Sequence, residues 1–183
     1  MAVNFHIVTE GDEDVRFLRE YLSFLGKSHS EECFKDLKGW GKLGGYTPDI
    51  EEMQDKGVKI LIILDANSDH AKRRREAENI LSRLNPPLFL FPDNKSAGSL
   101  DDLLLRITSS DHKDVLACLE KYEKCLRKSG YALFNAKRKV FAYKDAHGLH
   151  GVKGANQFDS KYWNYGHPAL NPLKKFLTEH IGK

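Results

Sequence analysis

Cysteine is scarce and unpatterned in this sequence: Cys33, Cys118 and Cys125 make an odd count with no CxxC pair. That argues against a disulfide framework or a zinc ribbon and for a reducing compartment. Long apolar runs are missing as well. The longest, Ile60–Leu64, falls far short of the roughly 18 residues a membrane span needs. Met1–Glu10 has no charged segment leading into an apolar stretch, so no secretory signal is visible and a cytoplasmic protein is expected. Neither charge sign dominates: 29 Lys+Arg face 26 Asp+Glu, a net +3, too weak to diagnose nucleic-acid binding by itself. No GxxxxGK[ST] occurs, and the glycines of Gly39–Gly45 match neither the P-loop nor the dinucleotide spacing. Repeats, low-complexity tracts and linkers are absent too. What remains is a chain of 183 residues, 40% hydrophobic and 30% charged. It has the composition of a folded protein and the length of one domain.

Short apolar runs alternate with amphipathic stretches. Val3–Val8 reads as a first strand, and from Asp12 the period becomes helical, with Val15, Leu18, Leu22 and Leu25 recurring before Gly26. Cys33–Leu37 reads as a weak second strand, and Thr47-Pro48 opens a short helix that Gly57 closes. Lys59–Leu64 is apolar without alternation, as expected of a central parallel strand covered on both faces. A helix over Asp69–Leu84 and a strand at Leu88–Phe91 follow. Helices are then expected at Leu100–Ile107, at Lys113–Lys128 (capped by Asp111), at Ala136–Tyr143 and at Pro168–Ile181, with an ordered, irregular loop over His147–His167. Strands alternating with helices imply right-handed crossovers and an α/β fold with a mostly parallel sheet flanked by helices. The whole chain, 1–183, reads as one domain, with a core of about 1–110 and a helical C-terminal elaboration from about 111. Cys118 and Cys125, seven apart on one helix face, read as buried small hydrophobes.

Acidic residues gather where strands end. The first strand runs into Glu10, with Asp14 just after; the third runs into Asp65, Asn67 and Asp69; the fourth runs into Asp93. Ligands of open parallel sheets bind beyond these carboxyl ends, and neighbouring strand ends lie only about 5 Å apart. Were the first and third strands adjacent, Glu10 and Asp65 would face each other across a gap of ion size. Crowded carboxylates need a cation between them or raised pKa values, and an oxygen-only donor set favours Mg²⁺ or Mn²⁺. Capping is the competing use of each acid, and Asp12, Ser68 or Asp69 could each cap the following helix. Three strand ends carrying acids favour a functional cluster.

The segments Thr9-Glu10-Gly11-Asp12-Glu13-Asp14-Val15 and Ile62-Ile63-Leu64-Asp65-Ala66-Asn67 resemble the signature of the Toprim domain: a Glu after the first strand, often as EGxxD, and a DxD after a later one. Phe91-Pro92-Asp93-Asn94, Gly98 to Leu104, Asn135 to Lys139 and the Phe158–Trp163 stretch resemble a narrower group, the small stand-alone Toprim-like proteins related to OLD-type nucleases. The resemblance implies a Toprim-like, Rossmann-like fold and phosphodiester chemistry at Mg²⁺ (or Mn²⁺). Glu10 and Asp65 would hold a first cation with Asp14 nearby, Asp101 or Asp102 would match a second acidic cluster, and a lysine, here Lys137, would stabilise the transition state. Toprim topoisomerases and primases carry large further domains, which leaves a nuclease or a subunit acting with a partner. One departure stands out: Asn67 occupies the second acidic position of DxD, offering a neutral, weaker ligand; Asp69, two residues on, either compensates for it or begins the next helix. The resemblance therefore implies two functions. One is a nuclease acting on DNA or RNA by metal-activated water. The other is a non-catalytic module that binds nucleic acid or an ATPase partner.

The remaining candidates each have two uses. Ser99 and Asp102 fit a capping box, which leaves Asp101 freer to be a ligand. Lys72, Arg73, Arg74 and Arg75 form either a solvated helix face or a phosphate-binding patch, and Lys137, Arg138 and Lys139 form a second such cluster. His147 and His150 have metal spacing without a third ligand of the right type, and a loop over the active face is the preferred reading. Tyr162, Trp163 and Tyr165 could stack on bases, although packing of the C-terminal segment is the commoner use.

Overall fold

Four strands, β1 (Phe5–Thr9), β2 (Phe34–Asp36), β3 (Lys59–Asp65) and β4 (Leu88–Phe91), form one all-parallel sheet in the order β2–β1–β3–β4. The computed structural model describes residues 4–149 and 156–181. Among the described residues seven α-helices accompany the sheet: α1 (Asp12–Phe24), α2 (Thr47–Asp55), α3 (His70–Ile80), α4 (Leu100–Arg106), α5 (Lys113–Lys128), α6 (Ala136–Ala146) and α7 (Asn171–Ile181). The result is an α/β fold of Rossmann-like type with a helical C-terminal elaboration.

The unbroken apolar run of β3 divides by the two-residue period of a strand. Leu61 and Ile63 enter one core with Phe17, Leu18, Tyr21 and Leu22 of α1 and residues of α4, α6 and α7. Ile60, Ile62 and Leu64 enter the other, with Ile50 of α2 and Ala77 of α3. Crossover handedness explains the division. The β1–α1–β2 crossover moves one way along the sheet and those through α2 and α3 move the other, so α1 lies on the opposite face from α2 and α3. The direction therefore reverses at β1 and β3, and the crevice of such a sheet opens beyond that pair's carboxyl ends.

Several boundaries differ from the sequence reading. β1 ends one residue later, at Thr9, and Val3 lies outside the described residues. α3 stops at Ile80 rather than Leu84: Leu81 is its C-cap, and a turn follows in which the Leu84 and Asn85 N–H groups donate to the Leu81 carbonyl and Asn85 takes a positive φ of 43°. Asp111 does not cap α5; it sits inside a one-turn 3-10 helix whose start is capped by the Ser109 hydroxyl. Cys118 and Cys125 are exposed rather than buried, since the face of α5 they share is turned to solvent. The packing reading of the late aromatics holds: Trp163 and Tyr165 are buried in the α1-side core, with Tyr162 packed against it. Trp163 Nε1 donates to the Gln157 carbonyl at 2.8 Å, and the Tyr165 hydroxyl donates to the Phe158 carbonyl. His150 lies outside the described residues. Among the described residues, no helix is long and apolar enough to cross a membrane.

Candidate functional site: an acidic cleft at the carboxyl edge of the sheet

Because β1 and β3 pair in register from Phe5–Lys59 to Val8–Ile62, their chain ends deliver Glu10 and Asp65 side by side. Glu10 Oε1 accepts a hydrogen bond from the Asp65 backbone N–H at 3.1 Å, which locks Glu10 over the end of β3. Asp65 Oδ1 in turn accepts from the Leu100 N–H at 2.9 Å, so the first turn of α4 is fastened to the end of β3. Asn67 and Gly98 add a two-way bridge between the same segments, with both N···O distances 2.7 Å. Gly98 cannot be replaced cheaply there: its φ is 135°, and a Cβ would meet Asp102 Oδ2 at 3.0 Å and Pro92 Cδ at 3.1 Å. Asp14, at the third position of α1, turns back to accept from the Gly11 N–H at 3.0 Å.

A cleft of about 250 Å³ opens where these segments meet, lined by Glu10, Glu13, Asp14, Asp65, Asp101 and Lys137 among others. Its electrostatics are those of like charges forced together. Burial, then the negative charges of Asp65, Glu10 and Glu13, push the Asp14 carboxyl well above the usual carboxylate range. Burial, with the charges of Glu10 and Asp101, raises Asp65 to about 7 against the opposing Leu100 N–H and Arg73. Glu10 is raised by burial despite Arg73 and the Asp65 N–H, and Asp101 by burial and by Glu13 despite Lys137 and Lys144. Four carboxyls raised together in one cleft mark a site whose ionised state is unfavourable without a cation.

Two internal cations already approach its acids. Arg73 of α3 lies with its guanidinium 4.1 Å from the centre of the Trp40 ring and Nη2 4.0 Å from Glu10 Oε1. Lys144 of α6, fully buried, reaches Glu13 Oε1 at 2.8 Å and lies over the Phe158 ring at 4.6 Å. Glu13→Gln is expected to destabilise the protein by about 3 kcal/mol, because it strands a buried ammonium, and Glu13→Gln/Lys144→Met should recover most of that loss. Chemical denaturation of the two variants measures both effects.

The other sequence candidates lie elsewhere. Asn67 is exposed at a positive φ of 54°, a conformation in which Asn is over-represented, and it does not line the cleft. Asp69 caps α3 by accepting from the Lys72 N–H at 2.9 Å. Asp102 takes the capping role at α4, accepting from the Ser99 N–H at 2.8 Å and the Ser99 hydroxyl at 3.0 Å, while Asp101 faces the cleft. Asp93 is bound to Arg106 at 3.0 Å, outside the cleft. The basic run separates: Arg73 sits at the cleft, Arg74 is held by Glu78 and Asn94, and Lys72 and Arg75 are exposed. Lys137 lines the cleft, whereas Lys139 pairs with Glu123 of α5 at 2.8 Å and Arg138 is exposed. Glu13 and Lys144 are the site residues that sequence reasoning passed over. A signal for Lys144 was present, since it lies two helical turns from Lys137 on one face of α6.

The donor set is all oxygen, suited to a hard divalent cation. Among the described residues, no three His, Cys, Asp or Glu side chains are gathered as a ready ligand group. The set fits such an ion on charge instead: buried Asp14 and half-buried Asp65 each accept from one backbone N–H and each face other carboxylates. Fold and site together define an α/β protein with a carboxylate cleft at the switch point of a parallel sheet. The chain belongs to the DUF3226 family, a protein family of unknown function, whose model matches residues 4–181. No curated protein and no solved structure matches it.

Proposed function

We propose that this protein is a Toprim-like phosphodiesterase dependent on Mg²⁺ or Mn²⁺, a nuclease acting on DNA or RNA. The observation that carries the reading is the meeting of Glu10, Asp14, Asp65 and Asp101, from three separate segments, in one cleft that Lys137 also lines. Glu10, Asp65 and Asp14 would hold the ion, with Asp101 lining the same cleft. A bound cation there supplies activation of water and charge stabilisation at the phosphate. Lys137 adds positive charge where negative charge develops on the substrate. Asn67 takes nothing from the cleft, because its place is in the bridge to Gly98. The three free cysteines suit a reducing cytoplasm.

Calorimetric titration of Mg²⁺ and Mn²⁺ into the metal-free protein tests this reading directly. Binding is expected, and Asp65→Ala should abolish it. Binding that persists undiminished in the variant would remove Asp65 from the ligand set.

One observation favours a second reading, a non-catalytic Toprim-like module that binds nucleic acid or an ATPase partner. Arg73 at Glu10 and Lys144 at Glu13 already offset part of the cleft's charge from within. Native protein that takes up neither ion, with or without oligonucleotide, would support the module.

A further inference from the structure

Beyond β2, a groove of about 600 Å³ opens next to the acidic cleft, lined by Lys35, Leu37, Lys38, Lys42 and Tyr46. Lys35, Lys38 and Lys42 are exposed, and among the described residues none of them stands in an ion pair. The one acid in the lining, Asp36, is turned back onto the Lys38 backbone N–H at 2.6 Å. Lys35 Nζ lies over the Tyr46 ring at 5.1 Å.

Groove and cleft meet at successive residues, Lys38 in the groove and Gly39 in the cleft. The chain leaving β2 stays bound to the end of β1, through Leu37 N–H to the Thr9 carbonyl at 3.0 Å and Gly39 N–H to the Glu10 carbonyl at 2.8 Å. Gly39 itself lines the cleft. The turn between needs two successive positive φ values, 55° at Lys38 and 114° at Gly39, the first an uncommon conformation for lysine. Trp40 follows at once and carries Arg73 on its ring, 4.0 Å from Glu10. The segment Lys38–Trp40 therefore joins a groove lysine to the ring that carries Arg73 beside the first acid of the cleft.

We propose that this groove is the path by which a single strand of nucleic acid reaches the acidic cleft, its phosphates bound by Lys35, Lys38 and Lys42 and passed to Arg73. The inference rests on the phosphodiesterase reading for the kind of substrate and adds its form. Aromatic faces beside a line of backbone-binding cations are the pattern of single-strand recognition. The groove, at about 600 Å³, is on the scale of a small-ligand pocket, and the cleft beyond it is smaller, at about 250 Å³. The other basic residues are placed less well: Arg74 and Lys139 are committed to partners, and Lys72 points its charge toward Glu76 at 4.0 Å.

The test is fluorescence anisotropy of the full chain in EDTA, with labelled dT and U oligomers of about 20 nucleotides and a duplex of equal length. Single strands are expected to bind more tightly than the duplex. Lys35→Ala/Lys38→Ala/Lys42→Ala should weaken single-strand binding by about tenfold or more and flatten the log–log salt slope by about 2, from roughly 0.7 per phosphate contact. A control variant, Lys121→Ala/Lys124→Ala/Lys128→Ala on α5, should bind as the native protein does. Equal loss in the control, no loss in the groove variant, preference for the duplex, or no binding by the native protein would each overturn the path. Single-strand binding that needs the groove lysines, in a protein that binds no metal and cleaves nothing, would overturn the hydrolase reading alone.

Discussion

Glu10→Gln is expected to lower Mg²⁺-dependent cleavage of nucleic acid by about a thousandfold, with the fold intact. The substitution keeps an oxygen able to accept from the Asp65 N–H, so the bond between the ends of β1 and β3 survives. What it removes is the negative charge facing the proposed ion and Arg73. Cleavage rates, paired with circular dichroism and with binding in EDTA, separate the outcomes. An undiminished rate would remove Glu10 from the metal site. A lost rate with lost binding would assign it to substrate capture instead.

The second large effect is on stability. Asp65 holds its proton up to about pH 7 in the folded protein, against an ordinary carboxyl value of 3.8. Between those limits the folded state carries a proton that the unfolded chain has released, so stability falls as pH rises through the window. At about 1.4 kcal/mol per unit, the whole span costs about 4 kcal/mol. Asp65→Asn abolishes this penalty while Oδ1 can still accept from the Leu100 N–H. The metal-free variant should therefore exceed the native protein by several kcal/mol near pH 8 and by far less near pH 5. Glu10, Asp14 and Asp101 act in the same direction as Asp65. His6 and His147, with lowered values, act in the opposite direction. The quantity to read is thus the difference between the two proteins, from urea unfolding in EDTA at each pH. A difference independent of pH would show that Asp65 is not the titrating group.

How much of this was legible beforehand depended on whether the deciding contact was local. Leu88–Phe91 and Lys113–Lys128 have their sequence-read bounds because apolar periodicity and a glycine stop act within a few residues. The convergence of Glu10 with Asp65 depends on β1 and β3 being neighbours: the continuous apolar run of β3 implied a central strand, and the pairing with β1 supplies the adjacency that the sequence left as a condition. The use of Asn67 was not legible: DxD spacing suggested a missing ligand, and only the bridge to Gly98 reveals a backbone role. The burial of the α5 cysteines was misread because seven-residue spacing defines a face without saying what covers it. The Lys144–Glu13 pair joins positions 131 residues apart, beyond the reach of any local pattern.

That separation also bears on how the chain is made. Glu10, Glu13 and Asp14 are synthesised before Asp65 and Asp101, and these complete the acidic wall well before α6 exists. A nascent chain ending anywhere in that interval possesses the repulsive cluster without Lys137 or Lys144, its own counter-charges from the later helix. During translation the acidic wall therefore depends longest on whatever cations the surrounding solution provides, and the internal tether arrives only when α6 has folded onto α1 and α4.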